Sequence, residues 1–362
     1  RLTALVAELP DMDAMYTTTL RRLCADSPEL REYLLSLLAA LLAVQEPVSV
    51  PELARLMGVP SGAGGALRTA VGHIRPLLSQ ATGDPKLRLL PGTYGDRTIE
   101  RLDIPGAYGA VPALHIVPSG GATAAVCVAH GSGCDKTFYA WRLVDVLVAQ
   151  GFAVLLLDLD GHGDSPRPQA FPTIIESVAA PARWLQARYA RVALLGTSLG
   201  GSVTARAIAA GAPCAAVVLW GTPPQLRLTQ AAYQRTQIAE ALRIARPPLL
   251  HLFRDSSPYQ LVRAWQTSGI RAHIGTWDLF DALDLLGSLT TLRARADRPP
   301  LLLVYAGRDA VLPPGAADAV RHASAGWGEF RLVRRASHVS LAIEPETISV
   351  TARWLGEQLG RA

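Results

Sequence analysis

The feature that most restricts this chain is a rhythm beginning near Arg97. Short, continuously apolar, β-rich runs at Val126–Ala129, Ala153–Leu157, Val192–Leu195, Ala216–Leu219 and Leu301–Tyr305 alternate with helix-patterned stretches such as Trp141–Gln150, Ile174–Ala187 and Ser202–Ala210. A strand that is apolar at every position has no solvent face and must be covered on both sides. Strands that alternate with helices achieve this as a parallel sheet between two helical layers. One interval breaks the rhythm: about eighty residues separate Trp220 from Leu301, with helical signals and no convincing strand. That is too long for an ordinary crossover, so residues 223–298 are predicted to hold an inserted helical cap. Its aromatics are Tyr233, Phe253, Tyr259, Trp265, Trp277 and Phe280.

The first hundred residues follow another pattern. Tyr16–Cys24 and Pro28–Val44 carry apolar residues at helical spacing. Ser49-Val-Pro-Glu52 is a capping box with proline in the first turn, opening a short helix through Met57 that Gly58-Val-Pro60 ends. Ser61 caps a further predicted helix reaching Leu78, Ala81–Pro85 makes a turn, and Leu87–Leu90 reads as a short strand. Helices followed by a small hairpin predict a winged-helix-like domain over residues 1–95, with the α/β domain occupying 96–362.

Composition removes several classes. With 49% apolar and 18% charged residues among 362, the chain has ample core and is not disordered. Its longest apolar run, Leu34–Val44, is eleven residues with Ser36 inside it, against roughly twenty needed to span a bilayer. No secretory signal opens the sequence, and a start at Arg1 rather than Met suggests that something upstream is missing. Cys24, Cys127, Cys134 and Cys214 form no CxxC pair and have no histidines at zinc spacing, so free thiols in a reducing, cytoplasmic setting are expected. The net charge of +5 is almost all arginine, Lys86 and Lys136 being the only lysines. It forms no run, and residues 1–100 carry 10 basic against 11 acidic groups, so no nucleic-acid partner is expected.

The chemistry concentrates after the strands. Val192–Leu195 leads into Gly196-Thr-Ser198-Leu-Gly200, followed by Gly201 and a helix. Gly-x-Ser-x-Gly between strand and helix forces the serine into a tight elbow, with small neighbours where backbones approach. A serine needs a base to become nucleophilic, and the base needs a carboxylate to orient it. Asp309 follows the strand Leu301–Tyr305, and His338 follows a predicted strand at Phe330–Val333. All three therefore emerge at the same sheet edge, in the order Ser, Asp, His. His251, His273 and His322 lie in helical or cap segments, and Asp281 and Asp284 are spaced like one exposed helical turn. The strand Val126–Ala129 runs into His130-Gly-Ser-Gly133, a loop able to turn backbone N–H groups toward Ser198. Leu199 N–H and the N–H of Ser132 or Gly133 are the expected oxyanion donors, with His130 structural. Lys136-Thr137 is no phosphate loop, because Asp135 and His130 stand where glycines are needed. Asp158–Asp164 is no calcium loop, with His162 fifth and Gln169 twelfth. No metal or organic cofactor is implied.

Residues 98–362 resemble an α/β-hydrolase. His130-Gly-Ser-Gly is similar to that family's oxyanion loop, and Asp158-Leu-Asp-Gly-His-Gly-Asp-Ser165 to its Asp-x-x-Gly-x-Gly-x-Ser turn. Gly-Thr-Ser198-Leu-Gly resembles the nucleophile elbow, and the segments around Asp309 and His338 the acid and base loops. The resemblance implies a mostly parallel eight-stranded sheet with helices on both faces and a helical cap. The Gly-His-Gly-Asp-Ser turn is most similar to esterase and lysophospholipase-like branches. Asp13–Arg22, Pro47–Gly58 and Lys86–Leu90 resemble the winged helix trailing a NACHT-type signalling ATPase, although Leu90-Pro-Gly-Thr-Tyr-Gly lacks the histidine of that pattern. Without a nucleotide-binding loop here, such an ATPase would have to lie upstream.

The expected activity is hydrolysis of a small carboxylic ester, lipid-like esters included, through an acyl-enzyme on Ser198. The alternatives are acyl transfer by the same three residues, or a non-catalytic signalling or assembly module.

Overall fold

The computed structural model describes residues 96–137, 140–226 and 272–360, Arg235, and the strand residues 48–49, 78–79, 86–89 and 92–94. The chain divides into two compact units, 1–100 with 256–260, and 101–255 with 261–362. In the first, β1 (Val48–Ser49), β2 (Leu78–Ser79) and β3 (Lys86–Leu89) form a small antiparallel sheet with β3 in the middle. Leu78, predicted as the end of a helix, is instead a strand residue, since Leu78 and Ser79 pair with Leu89 and Arg88. The predicted helices of residues 1–77 lie outside the described residues.

The larger sheet contains β4 (Gly92–Tyr94), β5 (Arg97–Ile104), β6 (Val111–Pro118), β7 (Ala124–Ala129), β8 (Ala153–Leu157), β9 (Arg191–Thr197), β10 (Ala216–Trp220), β11 (Leu301–Ala306) and β12 (Gly328–Val333). Their spatial order is β12-β11-β10-β9-β7-β8-β6-β5-β4. The expected eight strands are β5 to β12, and a ninth, Gly92–Tyr94, turns back as a hairpin on β5. From β8 across to β12 every pairing is parallel, while β6 runs antiparallel to β8.

Seven described helices cover the sheet: α1 (Trp141–Ala149), α2 (Glu176–Gln186), α3 (Leu199–Ala209), α4 (Thr276–Leu283), α5 (Leu285–Ala294), α6 (Ala316–Ala323) and α7 (Pro345–Leu359). Side chains alternate across a strand, so each buried strand feeds two cores. Leu155, Leu194, Val217, Leu219, Leu303 and Tyr305 join Val178 and Leu185 of α2, Val203 and Ile208 of α3, and Leu279 and Leu289 of α4 and α5 in one cluster. The intervening Val154, Leu156, Leu195, Val218, Leu302 and Val304 are equally buried on the face where α1 and α7 pack. The helices α4 and α5 pack on α3. This described part of the segment predicted as cap thus belongs to the sheet's own helical layer, and residues 227–271, Arg235 apart, lie outside the described residues. Among the described residues no helix is long and apolar enough to cross a membrane.

Parallel strands open their C-terminal ends on one edge, and that edge carries His130 after β7, Asp158 after β8, Ser198 after β9, Asp309 after β11 and His338 after β12.

Candidate active site

Strand β9 passes into α3 through Ser198, whose φ of 50° and ψ of −115° lie in a region a side-chain-bearing residue rarely occupies. Surrounding hydrogen bonds hold it there. Ser198 N–H donates to the Trp220 carbonyl at 2.8 Å, and Gly200 N–H to the His130 carbonyl at 3.1 Å. The flanking residues have no room for a side chain. A Cβ on Gly200 would lie 2.4 Å from the carbonyl oxygens of both Ala129 and His130, and one on Gly196 would lie 2.5 Å from the Gly200 oxygen. These obstacles are backbone and cannot rotate away. Gly200→Ala is therefore expected to cost about 3 kcal/mol or more, read as a lowered denaturant midpoint. An unchanged midpoint would mean the elbow is looser than its contacts indicate.

The three residues singled out from sequence come together. His338 Nε2 lies 3.1 Å from Ser198 Oγ, and His338 Nδ1 lies 2.8 Å from Asp309 Oδ2. The other carboxylate oxygen, Asp309 Oδ1, accepts the N–H groups of Val311 and Leu312, each at 2.9 Å. Burial works to raise the Asp309 pKa, but the charge and hydrogen bond of His338 and these two N–H groups outweigh it and hold the carboxyl below its ordinary range. Asp309 thus stays ionised and can only accept, so in a neutral His338 the hydrogen sits on Nδ1 and Nε2 turns its lone pair to Ser198. Such a pair can withdraw the serine proton.

The His130–Gly133 loop lies against this group: a Cβ on Gly131 would be 3.4 Å from Ser198 Cβ. Gly133 has φ of +74°, a conformation that costs glycine little. Leu199, the first residue of α3, presents an N–H without a hydrogen-bond partner among the described residues. His130 is structural, as expected. Its Nδ1 lies 2.8 Å from the Gly131 carbonyl, and its Nε2 accepts Leu159 N–H at 3.1 Å. Burial lowers its pKa to about 4. Of the rejected candidates, His322 lies in α6. Asp281 is an exposed residue of α4, and Asp284 links α4 to α5, accepting Gly287 N–H at 3.1 Å.

Sequence reasoning missed a charged cluster beside the loop. Lys136 N–H donates to Asp158 Oδ1 at 2.8 Å, while its ammonium lies 2.5 Å from Asp158 Oδ2 and 2.8 Å from Asp164 Oδ2. Desolvation opposes the charge on Lys136, but the two carboxylates prevail and raise its pKa. The available signal was local: charged residues in two glycine-rich turns, each considered as a different kind of site. Nearby, Asp160 pairs with Arg167 at 2.7 Å and accepts the Ser177 hydroxyl at 2.8 Å.

Known proteins agree with this architecture. Three solved structures share the fold: an esterase of Pyrococcus furiosus (17% identity, TM-score 0.51, covering 73% of this chain and 92% of its own), a bromoperoxidase of Bacillus anthracis (18%, 0.52, 72% and 100%) and a thermophilic esterase of Thermogutta terrifontis (19%, 0.51, 72% and 98%). No curated protein matches the sequence. Residues 120–346 match the family described as serine aminopeptidase, S33. Since that match spans more than half of the sequence, the chain belongs to the S33 serine aminopeptidase family and is a hydrolase of the α/β type.

Proposed function

We propose that this chain cleaves carboxylic esters through an acyl-enzyme on Ser198. The observation that carries the reading is the relay of contacts from Ser198 Oγ to His338 at 3.1 Å and from His338 to Asp309 at 2.8 Å. Ser198 attacks the carbonyl carbon as His338 Nε2 takes its proton, and Asp309 stabilises the imidazolium that forms. Leu199 N–H and the N–H of Ser132 or Gly133 receive the oxyanion. His338 returns the proton to the departing alcohol, and a water it deprotonates then releases the acid. The sequence needs no metal or organic cofactor. Ester rather than amide cleavage is favoured by the two similar esterases and by the Gly161-His-Gly-Asp-Ser165 turn, which resembles esterase and lysophospholipase-like branches.

In the same reading the substrate is a small, lipid-like ester and the protein is cytoplasmic. In it, residues 1–95 are also assigned to a winged-helix-like domain, whose resemblance implies an ATPase domain upstream, and residues within 223–298 to the cap. The antiparallel strands β1, β2 and β3 support the first of these assignments, since a wing needs such a hairpin.

The test is labelling by a fluorophosphonate probe, followed by intact mass and peptide mapping, with Ser198→Ala alongside. One adduct on Ser198, absent from the variant, is expected, with turnover of carboxylic esters in a panel that includes aminoacyl amides and added alcohols. Absence of an adduct in folded protein would leave a non-catalytic signalling or assembly module as the better account. Preference for the amides would replace ester cleavage by aminopeptidase action, and product diverted to alcohols would replace hydrolysis by acyl transfer.

A further inference from the structure

We propose that Lys136 is a positioning residue for this reaction, fastening the loop of residues 130–137 so that the N–H of Ser132 or Gly133 stands ready for the oxyanion. The inference rests on the hydrolase reading and adds a residue to it.

Donors for a developing oxyanion work because they are fixed before charge appears. This loop contains Gly131 and Gly133, residues that lose much freedom on ordering, so it must be tied on both sides. His130 ties the first side. Its ring accepts Leu159 N–H at 3.1 Å, and its carbonyl accepts Gly200 N–H at 3.1 Å from the elbow. Lys136 ties the second side to the turn after β8. Its N–H and ammonium take separate oxygens of Asp158, and the ammonium also reaches Asp164 at 2.8 Å. The turn is itself closed, because Asp164 N–H donates to Asp158 Oδ2 at 2.8 Å. A Cβ on Gly163, whose φ is +50°, would lie 2.3 Å from Asp158 Oδ1. Arg101 holds the outer side of Asp164 at 3.1 Å.

Two further observations favour positioning over plain stabilisation. Asp158 is 0% exposed and Lys136 is 9% exposed, and a buried ion pair generally brings little net stability over an apolar replacement. The residue type is also specific. The chain has 35 basic residues, all but two of them arginine, yet places a lysine here. A compact ammonium can approach two carboxylates lying in different directions, whereas a planar guanidinium fork matches one.

The test compares wild type with Lys136→Met, Lys136→Arg and Asp164→Asn on the best ester. It reads kcat and KM per titratable serine, the affinity for an alkyl boronic acid that forms a tetrahedral adduct, and the melting temperature. Misplaced donors weaken only the tetrahedral state. Lys136→Met is therefore expected to lose about 10–100-fold in kcat, with the same factor in boronate affinity and KM within about threefold. Lys136→Arg should recover less than half of that loss on a logarithmic scale. Asp164→Asn, at the 39%-exposed end of the cluster, loosens one tie only. It should lose about 3–10-fold in both quantities, and it keeps the proposal testable if Lys136→Met does not fold. An active wild type whose folded variants keep kcat and boronate affinity overturns the positioning role alone. A wild type that neither turns over ester nor takes the fluorophosphonate label overturns the hydrolase reading, and the positioning role falls with it.

Discussion

Asp309→Asn is expected to lower kcat on the best ester by about 10⁴-fold, with KM changed by less than about threefold. The size of the effect follows from the way the carboxylate is held. Oδ1 is pinned by two donors, Val311 N–H and Leu312 N–H, and Oδ2 faces His338 Nδ1. An asparagine amide can satisfy the two backbone donors only by placing its oxygen at the Oδ1 position. Its NH₂ group then faces the imidazole and obliges Nδ1 to accept. The hydrogen moves to Nε2, which now points a donor at Ser198 Oγ and cannot remove its proton. The substitution changes little in shape, so the melting temperature should fall by only a few degrees, and substrate should still bind. Steady-state kinetics and a melting curve on the one variant suffice. A loss of less than about tenfold would mean that Asp309 does not set the tautomer of His338 in the reacting enzyme.

The candidate site was legible in the sequence because its placement needs only chain order and strand ends. Ser198, Asp309 and His338 each follow a predicted strand, and parallel strands deliver all such residues to one edge. Five strands could be read as apolar runs for the same reason, and β8 has the predicted limits. Strands β5 and β6 hid behind other signals. Arg97, Glu100, Arg101 and Asp103 give β5 the look of a charged loop, although its half-buried alternation suits a strand near the sheet's end. Pro112 and Pro118 interrupt β6, and proline argues against a central strand. The helices α4 and α5 have the periodicity expected of a cap. Periodicity says that a helix has an apolar face, not that the face will rest on α3. Lys136 was hidden for a different reason. Its partners Asp158 and Asp164 lie 22 and 28 residues away, and only the pairing of β7 with β8 brings the two turns together.

Acid should destabilise this protein well above the pH at which carboxylates titrate, because two neutral histidines are built into the loops that carry the site. Burial lowers His130 to about 4 and His162 to about 3. The structure shows what a proton would meet. His130 Nε2 is already accepting Leu159 N–H, so a proton there would set donor against donor. His162 Nδ1 lies 2.9 Å from the Asp160 carbonyl, and its buried Nε2 has no partner among the described residues. In the unfolded chain both rings titrate near 6.5. Between that value and the depressed ones the unfolded state binds more protons than the native state. Stability is therefore complete above about pH 6.5 and declines as pH falls, by about 1.4 kcal/mol per pH unit for each histidine. At pH 5 the loss should be on the order of 4 kcal/mol for the two together. The ring centroids are 5.2 Å apart, so charging either opposes charging the other and keeps both neutral in the native state through this window. His115, lowered to about 4 by burial and by Arg188, adds in the same direction. Asp160, which burial raises, works the opposite way as pH falls. Asp158, which burial also raises, acts with Asp160, and the three lowered histidines stand against the two carboxyls. Urea unfolding at pH 7 and pH 5 measures the difference, and His162→Gln should remove about half of it while leaving the slope against urea unchanged. Equal stability at the two pH values would mean that the histidines are protonated in the native protein. The hydrogen bond from Leu159 to His130, and with it the first tie of the loop beside Ser198, would then be absent.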